Sequence, residues 1–212
     1  DRILDANEEV LRQMLDHRFI ADIKANRLPR AVFHNYLVHE GAFVNTAISI
    51  IAYALARAPD IGMQRWLIGI LDALANKQVP FFEDAFVRLG IPSPDDTPPD
   101  VIAFDRGMLS LARDGSFVDI VTAMFAAEWM YWTWCSDAST CKINDVDLKN
   151  WVDLHAEPAF ADQAMSLKAA IDIYGAPEDA DRLSAIFRRV MTLEIAFHSA
   201  PYDTAATSGS AT

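Results

Sequence analysis

The sequence predicts an all-α protein. Apolar residues recur at helical spacing through nearly the whole chain, the breaks between periodic runs fall on proline- and glycine-bearing turns, and neither a convincing strand nor an internal repeat is present. With 212 residues, 52% of them hydrophobic, one domain can bury a sizeable core and no second one is required.

The first periodic run carries Ile3, Val10, Leu11, Met14, Leu15 and Phe19, and Leu28-Pro29 ends it. Pro suits a first helical turn, so a second helix is expected over Arg30 to Arg57, broken by Ala58-Pro59-Asp60. A third is expected from Ile61 toward Leu89, kinked at Pro80, with Gly90 in the capping position. The stretch IPSPDDTPPD, Ile91 to Asp100, holds four of the ten prolines and reads as a crossover within one domain, because neither half has a complete core. A fourth helix follows over Val101 to Arg113, interrupted by Asp114-Gly115-Ser116. The central helix then begins. Lys142 to Asp147 reads as a turn, with short helices over about Val146 to His155 and Pro158 to Tyr174. Gly175-Ala176-Pro177 opens the last helix, to about Ser199. The expectation is a bundle of seven or eight helices over residues 1–200 and a disordered tail over 201–212, where TAATSGSAT is of low complexity.

The net charge of −12 and pI of about 4.7 argue against phosphate backbones and anionic membrane surfaces as partners. No run of some 18 uncharged apolar residues is present, and the acidic start DRILDANEEV, without a basic region, is not expected to act as a signal peptide. Two cysteines, Cys135 and Cys141, suit a reducing, cytoplasmic setting. On a continuous helix they are too far apart to bond, whereas a helix ending near Asp137 would permit a bridge.

The central stretch VTAMFAAEWMYWTWC, Val121 to Cys135, concentrates the chemistry. It is apolar for two turns before Glu128 appears, with Tyr131 and Cys135 on the same face at i+3 and i+7. A lone carboxylate in so apolar a helix must be hydrogen-bonded, paired or neutral. Tyr36, Glu40 and Phe43 share a face of the second helix, Trp151 and His155 stand at i, i+4, and so do Glu194 and His198 with Phe197 between them. Each has a plainer reading: His39-Glu40 as a solvated pair, Trp151 and His155 as core aromatics, Glu194 as an exposed acid beside Arg188 and Arg189, and Tyr36, Phe43 and Phe104 as ordinary core.

Taken together the arrangement resembles the TenA / thiaminase II family, which shares its fold with haem oxygenase and the oxidase PqqC. The resemblance runs from about His17 to Phe197. Phe33-His34-Asn35-Tyr36-Leu37-Val38-His39-Glu40-Gly41-Ala42-Phe43 is similar to the family pattern F-x-x-Y-L-x-Q-D-x-x-Y, with Glu40 at the substrate-holding Asp and Phe43 at a Tyr. Phe104 stands at another pocket Tyr. Ala127 replaces the nucleophilic Cys, and Tyr131 matches the Tyr four residues on. Trp151-Val152-Asp153-Leu154-His155 resembles W-I-x-x-Y, with His155 for Tyr, and Leu193 to His198 resembles L-E-x-x-F-W, with Glu194 at its acid. Glu128 fits a branch in which a Glu one residue past the Cys position replaces the thiol.

The resemblance implies a haem-oxygenase-like bundle and an aminohydrolase acting without cofactor or metal on aminopyrimidines, N-formyl forms included, in salvage of thiamin's pyrimidine half. It implies Glu194 and Glu128 as catalytic groups, Glu40, Tyr36, Phe43, Phe104, Tyr131 and His155 as substrate-binding groups, and a homo-oligomer, dimer or tetramer. Neither nucleic acid nor membrane is an expected partner. The acids at 40, 128 and 194 are expected to converge on a dry, ring-lined hollow. Three other readings use the same residues. Glu40, Glu128, His155, Glu194 and His198 are donors suited to a non-haem di-iron centre. His17 would be the proximal ligand of a haem. A small-molecule-binding or regulatory protein would bind without turnover.

Overall fold

The computed structural model describes residues 2–92 and 96–208. Among these the secondary structure is helical throughout. By their contacts the residues form two compact units, each discontinuous in sequence: Asp1–Pro29 with Val121–Ser199, and Arg30–Ile120 with Ala200–Thr212. The proline-rich crossover joins parts of the second of these units; Ser93, Pro94 and Asp95 within it lie outside the described residues.

The first unit opens with three short helices, α1 (Arg2–Ala6), α2 (Glu8–Leu15) and α3 (Arg18–Lys24), where the periodicity suggested one. Polar residues divide it. Asn7 Nδ2 donates to Ile3 O at 2.8 Å and Ser184 Oγ at 2.9 Å, competing with the helical ladder. His17 adopts ψ 144° and caps α3, its Nδ1 accepting from Phe19 N. After α3, Asn26 takes φ 54°, and Arg27 N donates to Asp22 O at 2.9 Å to close the helix. Both Arg27 and Arg18 reach the buried Asp22 carboxylate, at 2.7 and 3.3 Å.

The unit continues from Val121 of α8 (Phe117–Ser139), whose stretch from Val121 to Ala127 is buried, through α9 (Val146–Ala156) and α10 (Pro158–Tyr174) to Ser199 of α11 (Ala180–Ser208). Asp145 caps α9 by accepting from Asp147 N and Leu148 N. Because α8 runs past Asp137 to Ser139, the condition for a Cys135–Cys141 bridge is not met, and neither cysteine forms a disulfide. Helix α11 passes through Pro201 and continues to Ser208, so the tail expected to be disordered from 201 is helical as far as it is described, and residues 209–212 lie outside the described set.

The second unit is arranged on α4 (Arg30–Ala56), which packs against α5 (Ile61–Ala73), α6 (Val79–Leu89) and α7 (Pro99–Asp114). By length and composition α4 could cross a membrane, with a mean hydropathy of 1.2 over its most apolar window. Glu40 and Arg57 bracket its longest uncharged run, which explains why counting uncharged residues did not single it out. The expected kink near Pro80 takes a specific form. Pro lacks an N–H and its ring crowds the carbonyl four residues back, and the backbone widens into a π-helix over Leu74–Gln78, with Val79 N donating to Leu74 O. Gly90, at φ 64°, caps α6 as predicted, and Ile91 N donates back to Phe86 O at 2.9 Å. Ser116 and Asp119 open α8 with a reciprocal capping box.

Candidate functional site

Glu128 sits where α8 turns from small apolar residues to aromatic ones. The residue is half-buried, yet Oε2 is out of solvent and has no hydrogen-bond partner among the described residues. The other oxygen, Oε1, accepts from Gln163 Nε2 of α10 at 2.9 Å. Burial raises the Glu128 pKa to about 7, and the Gln163 amide opposes that shift by favouring the ionised form. The group is therefore poised to gain or lose a proton near neutrality.

One turn on, Tyr131 joins α8 to two other helices. Its ring lies 5.6 Å from His155 of α9 and 5.6 Å from His198 of α11. His155 continues to Phe160 of α10 at 4.9 Å and stands 4.2 Å from Trp151, which stacks on Trp134 at an interplanar angle of 27°. Trp151 is thus a core aromatic, whereas His155 belongs to the half-buried ring cluster. Trp129 packs on Phe125 and Trp132.

Both imidazoles hold defined tautomers. His155 Nδ1 lies 2.8 Å from Trp151 O and His198 Nδ1 lies 2.8 Å from Glu194 O. A carbonyl only accepts, so each Nδ1 carries hydrogen and each Nε2 carries a lone pair. Burial lowers the pKa of His155 to about 4 and that of His198 to about 3, against weaker opposition from those backbone bonds. The 3.5 Å approach of His198 Nδ1 to Glu194 Oε2 therefore joins a carboxyl group to a neutral imidazole. Glu194 is 1% exposed and His198 0%, which overturns the reading of Glu194 as an exposed acid beside Arg188 and Arg189. His17 lies 6.2 Å from His198 and bonds Ser199 Oγ through Nε2 at 2.9 Å; with Nδ1 capping α3, both ring nitrogens are engaged, which leaves neither for a haem.

Four predicted substrate-binding residues lie in the second unit. Tyr36 is fully buried on α4 and Glu40 is half-buried one turn on. Phe43 meets Phe104 of α7 at 4.7 Å, beside a hydrogen bond from Thr46 to Asp105. His39 is buried, and burial lowers its pKa to about 4, so His39-Glu40 is not a solvated pair. Among the described residues no group of three or more His, Cys, Asp and Glu side chains is placed to hold a metal ion.

The sequence profile of the TENA/THI-4/PQQC family matches residues 4–204. The chain belongs to this family. None of the curated proteins matches it. Solved structures of TenA proteins share its fold at low identity. A TenA homologue from Pyrococcus furiosus is 20% identical with a TM-score of 0.86, the match covering 94% of this chain and 98% of that one. A protein from Silicibacter sp. TM1040, named a TenA family transcription regulator, is 18% identical with a TM-score of 0.83 over 94% of each chain. A Sulfolobus solfataricus P2 protein, named as a candidate TenA-like thiaminase, is 17% identical with a TM-score of 0.79 over 95% and 94%. The all-α TenA fold is thus the one predicted.

Sequence reasoning did not single out Gln163, Glu128's hydrogen-bond partner. A helical Gln among alanines carries no motif. Its only trace is its place one turn after Phe160 and one before Leu167 on α10.

Proposed function

We propose that this TenA-family chain is an aminopyrimidine aminohydrolase of the branch in which a Glu replaces the nucleophilic Cys, acting on amino- or N-formylaminopyrimidines. The observation that carries the reading is a pair of acids in unlike surroundings beside one ring cluster. Glu128 is poised near neutrality, and Glu194 is buried against a neutral imidazole. Unlike environments let two carboxyl groups divide acid and base work.

Glu128, ionised, takes a proton from water as its oxygen bonds to carbon. Glu194, protonated, gives a proton to the departing nitrogen as the C–N bond breaks, so ammonia or an amine leaves and a hydroxyl or carboxylate product remains. Tyr131 and His155 offer faces to a flat ring, each stacked pair worth about 0.5–1.5 kcal/mol beyond area burial. The family resemblance assigns Tyr36, Phe43, Phe104 and Glu40, on α4 and α7, to substrate binding as well. A cytoplasmic setting fits two cysteines that form no disulfide, and assembly as a dimer or tetramer follows from the family resemblance.

Glu194→Ala and Glu128→Ala are each expected to cut turnover of an aminomethylpyrimidine or its N-formyl form by about 10² to 10⁴ while leaving the helical circular dichroism intact. Products are read by mass spectrometry. Undiminished hydrolysis in both variants, or saturable binding without turnover in the wild type, defeats the reading.

A further inference from the structure

The unit containing α8 to α10 pairs Glu128 with a side chain to which no catalytic role has been given. Gln163 Nε2 lies 2.9 Å from Oε1, and Oε2 is buried without a partner among the described residues. The two oxygens of one carboxyl group are therefore not equivalent. An amide N–H can only donate, so the oxygen facing it must offer a lone pair in both protonation states. We propose that Gln163 is a positioning residue for Glu128: by occupying Oε1 it confines the exchangeable proton to Oε2, so that one defined oxygen takes the proton from water.

This rests on the aminohydrolase reading for its catalytic meaning, but the hydrogen bond itself does not. Gln163 is held in place by α10. Phe160, one turn before it, meets His155 at 4.9 Å, and Ala164 and Leu167 beside it are buried. On α8, Tyr131 stands one turn from Glu128. The helix register thus sets Glu128 with Gln163 at one end and Tyr131, His155 and Phe160 at the other.

The titratable groups of the ring cluster in this unit are Tyr131 on α8, His155 on α9, and His198 with Glu194 on α11. On α10 the charged residues near Gln163 are the exposed Asp162 and the half-buried Lys168, the latter paired with Asp172 at 3.1 Å. Burial and the Gln163 bond are the effects that set the Glu128 shift, and they act in opposite directions. Removing the amide leaves burial unopposed.

The test is a titration of Glu128 in the intact protein. The carboxyl C=O stretch is followed by infrared difference spectroscopy, with Glu128→Gln identifying the band. In Gln163→Met, which keeps length but loses the donor, the Glu128 midpoint is expected to rise by about one unit or more, since hydrogen bonds to charged groups are worth about 1.5–3 kcal/mol. Gln163→Glu, a second variant that replaces the donor by an acid, is expected to raise it further. With an aminopyrimidine substrate, the rate falls as pH drops through the Glu128 midpoint, and this limb of the kcat/KM profile is expected to move upward by the same amount in Gln163→Met. A purely structural role would lower the rate at every pH and leave the limb in place. An unmoved midpoint in both variants overturns the proposal. No hydrolysis by the wild type at any pH overturns the aminohydrolase reading instead, and the infrared titration still decides the role of Gln163.

Discussion

At the residue scale, the most informative group is Glu128. Its folded-state pKa, about 7, lies above the ordinary value of 4.5, so folding favours the neutral acid. That contribution is fully present below about pH 4.5 and is lost as pH rises through 7. Glu128→Gln keeps a neutral side chain at every pH. The variant is therefore expected to melt near the wild-type temperature at pH 5 and above it at pH 8.5, by about 2–4 °C for each kcal/mol that the ionised acid costs. Equal melting at both pH values would mean that Glu128 is not burdened by its surroundings. Glu128 and Glu194 were legible in the sequence because each is an acid inside an apolar helical run. Gln163 was not, because an uncharged polar residue on a half-buried helix face violates no pattern. Its partner lies 35 residues away and becomes visible only once α8 and α10 are side by side.

Among the elements, boundaries set by proline, glycine and cap chemistry were readable. Pro158–Tyr174, the Gly90 cap and the break at Asp114-Gly115-Ser116 all stand where local chemistry puts them. The division of the N-terminal run was not readable, because its apolar spacing stays in phase across Asn7 and His17 while their side chains end the helices. Gly115 gives the sharpest element-scale prediction. At φ −86° its backbone suits any residue, but an added Cβ would fall 2.5 Å from Leu111 O and 2.9 Å from Asp119 Cβ. A backbone carbonyl cannot swing aside as a side-chain tip can. Gly115→Ala is therefore expected to destabilise the fold by about 1–3 kcal/mol through overpacking, measured by urea unfolding. Gly69→Ala, where nothing lies within 4 Å of the added carbon, is expected to be neutral or slightly stabilising.

For the whole molecule, buried histidines weaken the fold in acid. His39, His155 and His198 have folded-state pKa values near 4, 4 and 3, all below the ordinary 6.5 because burial disfavours the cation. The unfolded chain binds those protons more readily. The stability they represent is present above about pH 6.5 and is lost as pH falls toward 4. The melting temperature is expected to drop steadily across that window, and His198→Phe is expected to flatten part of the drop, both read by calorimetry. An unchanged slope in the variant would place the acid sensitivity elsewhere. The class and order of helices were legible at this scale because helical periodicity is written into every segment. The division into two units was not, since it depends on which distant segments touch.

That division bears on how the chain is made. The first unit needs Asp1–Pro29 and Val121–Ser199, and the stretch between them belongs to the other. On a ribosome adding about 5–20 residues per second, the opening segment emerges roughly 10–30 s before the last of its companions. Met14, Phe19, Ile20 and Ile23, all destined for the interior, spend that interval bare to solvent. The newborn chain thus has a built-in delay, and a nascent-chain chaperone that grips short apolar segments would find a client surface there.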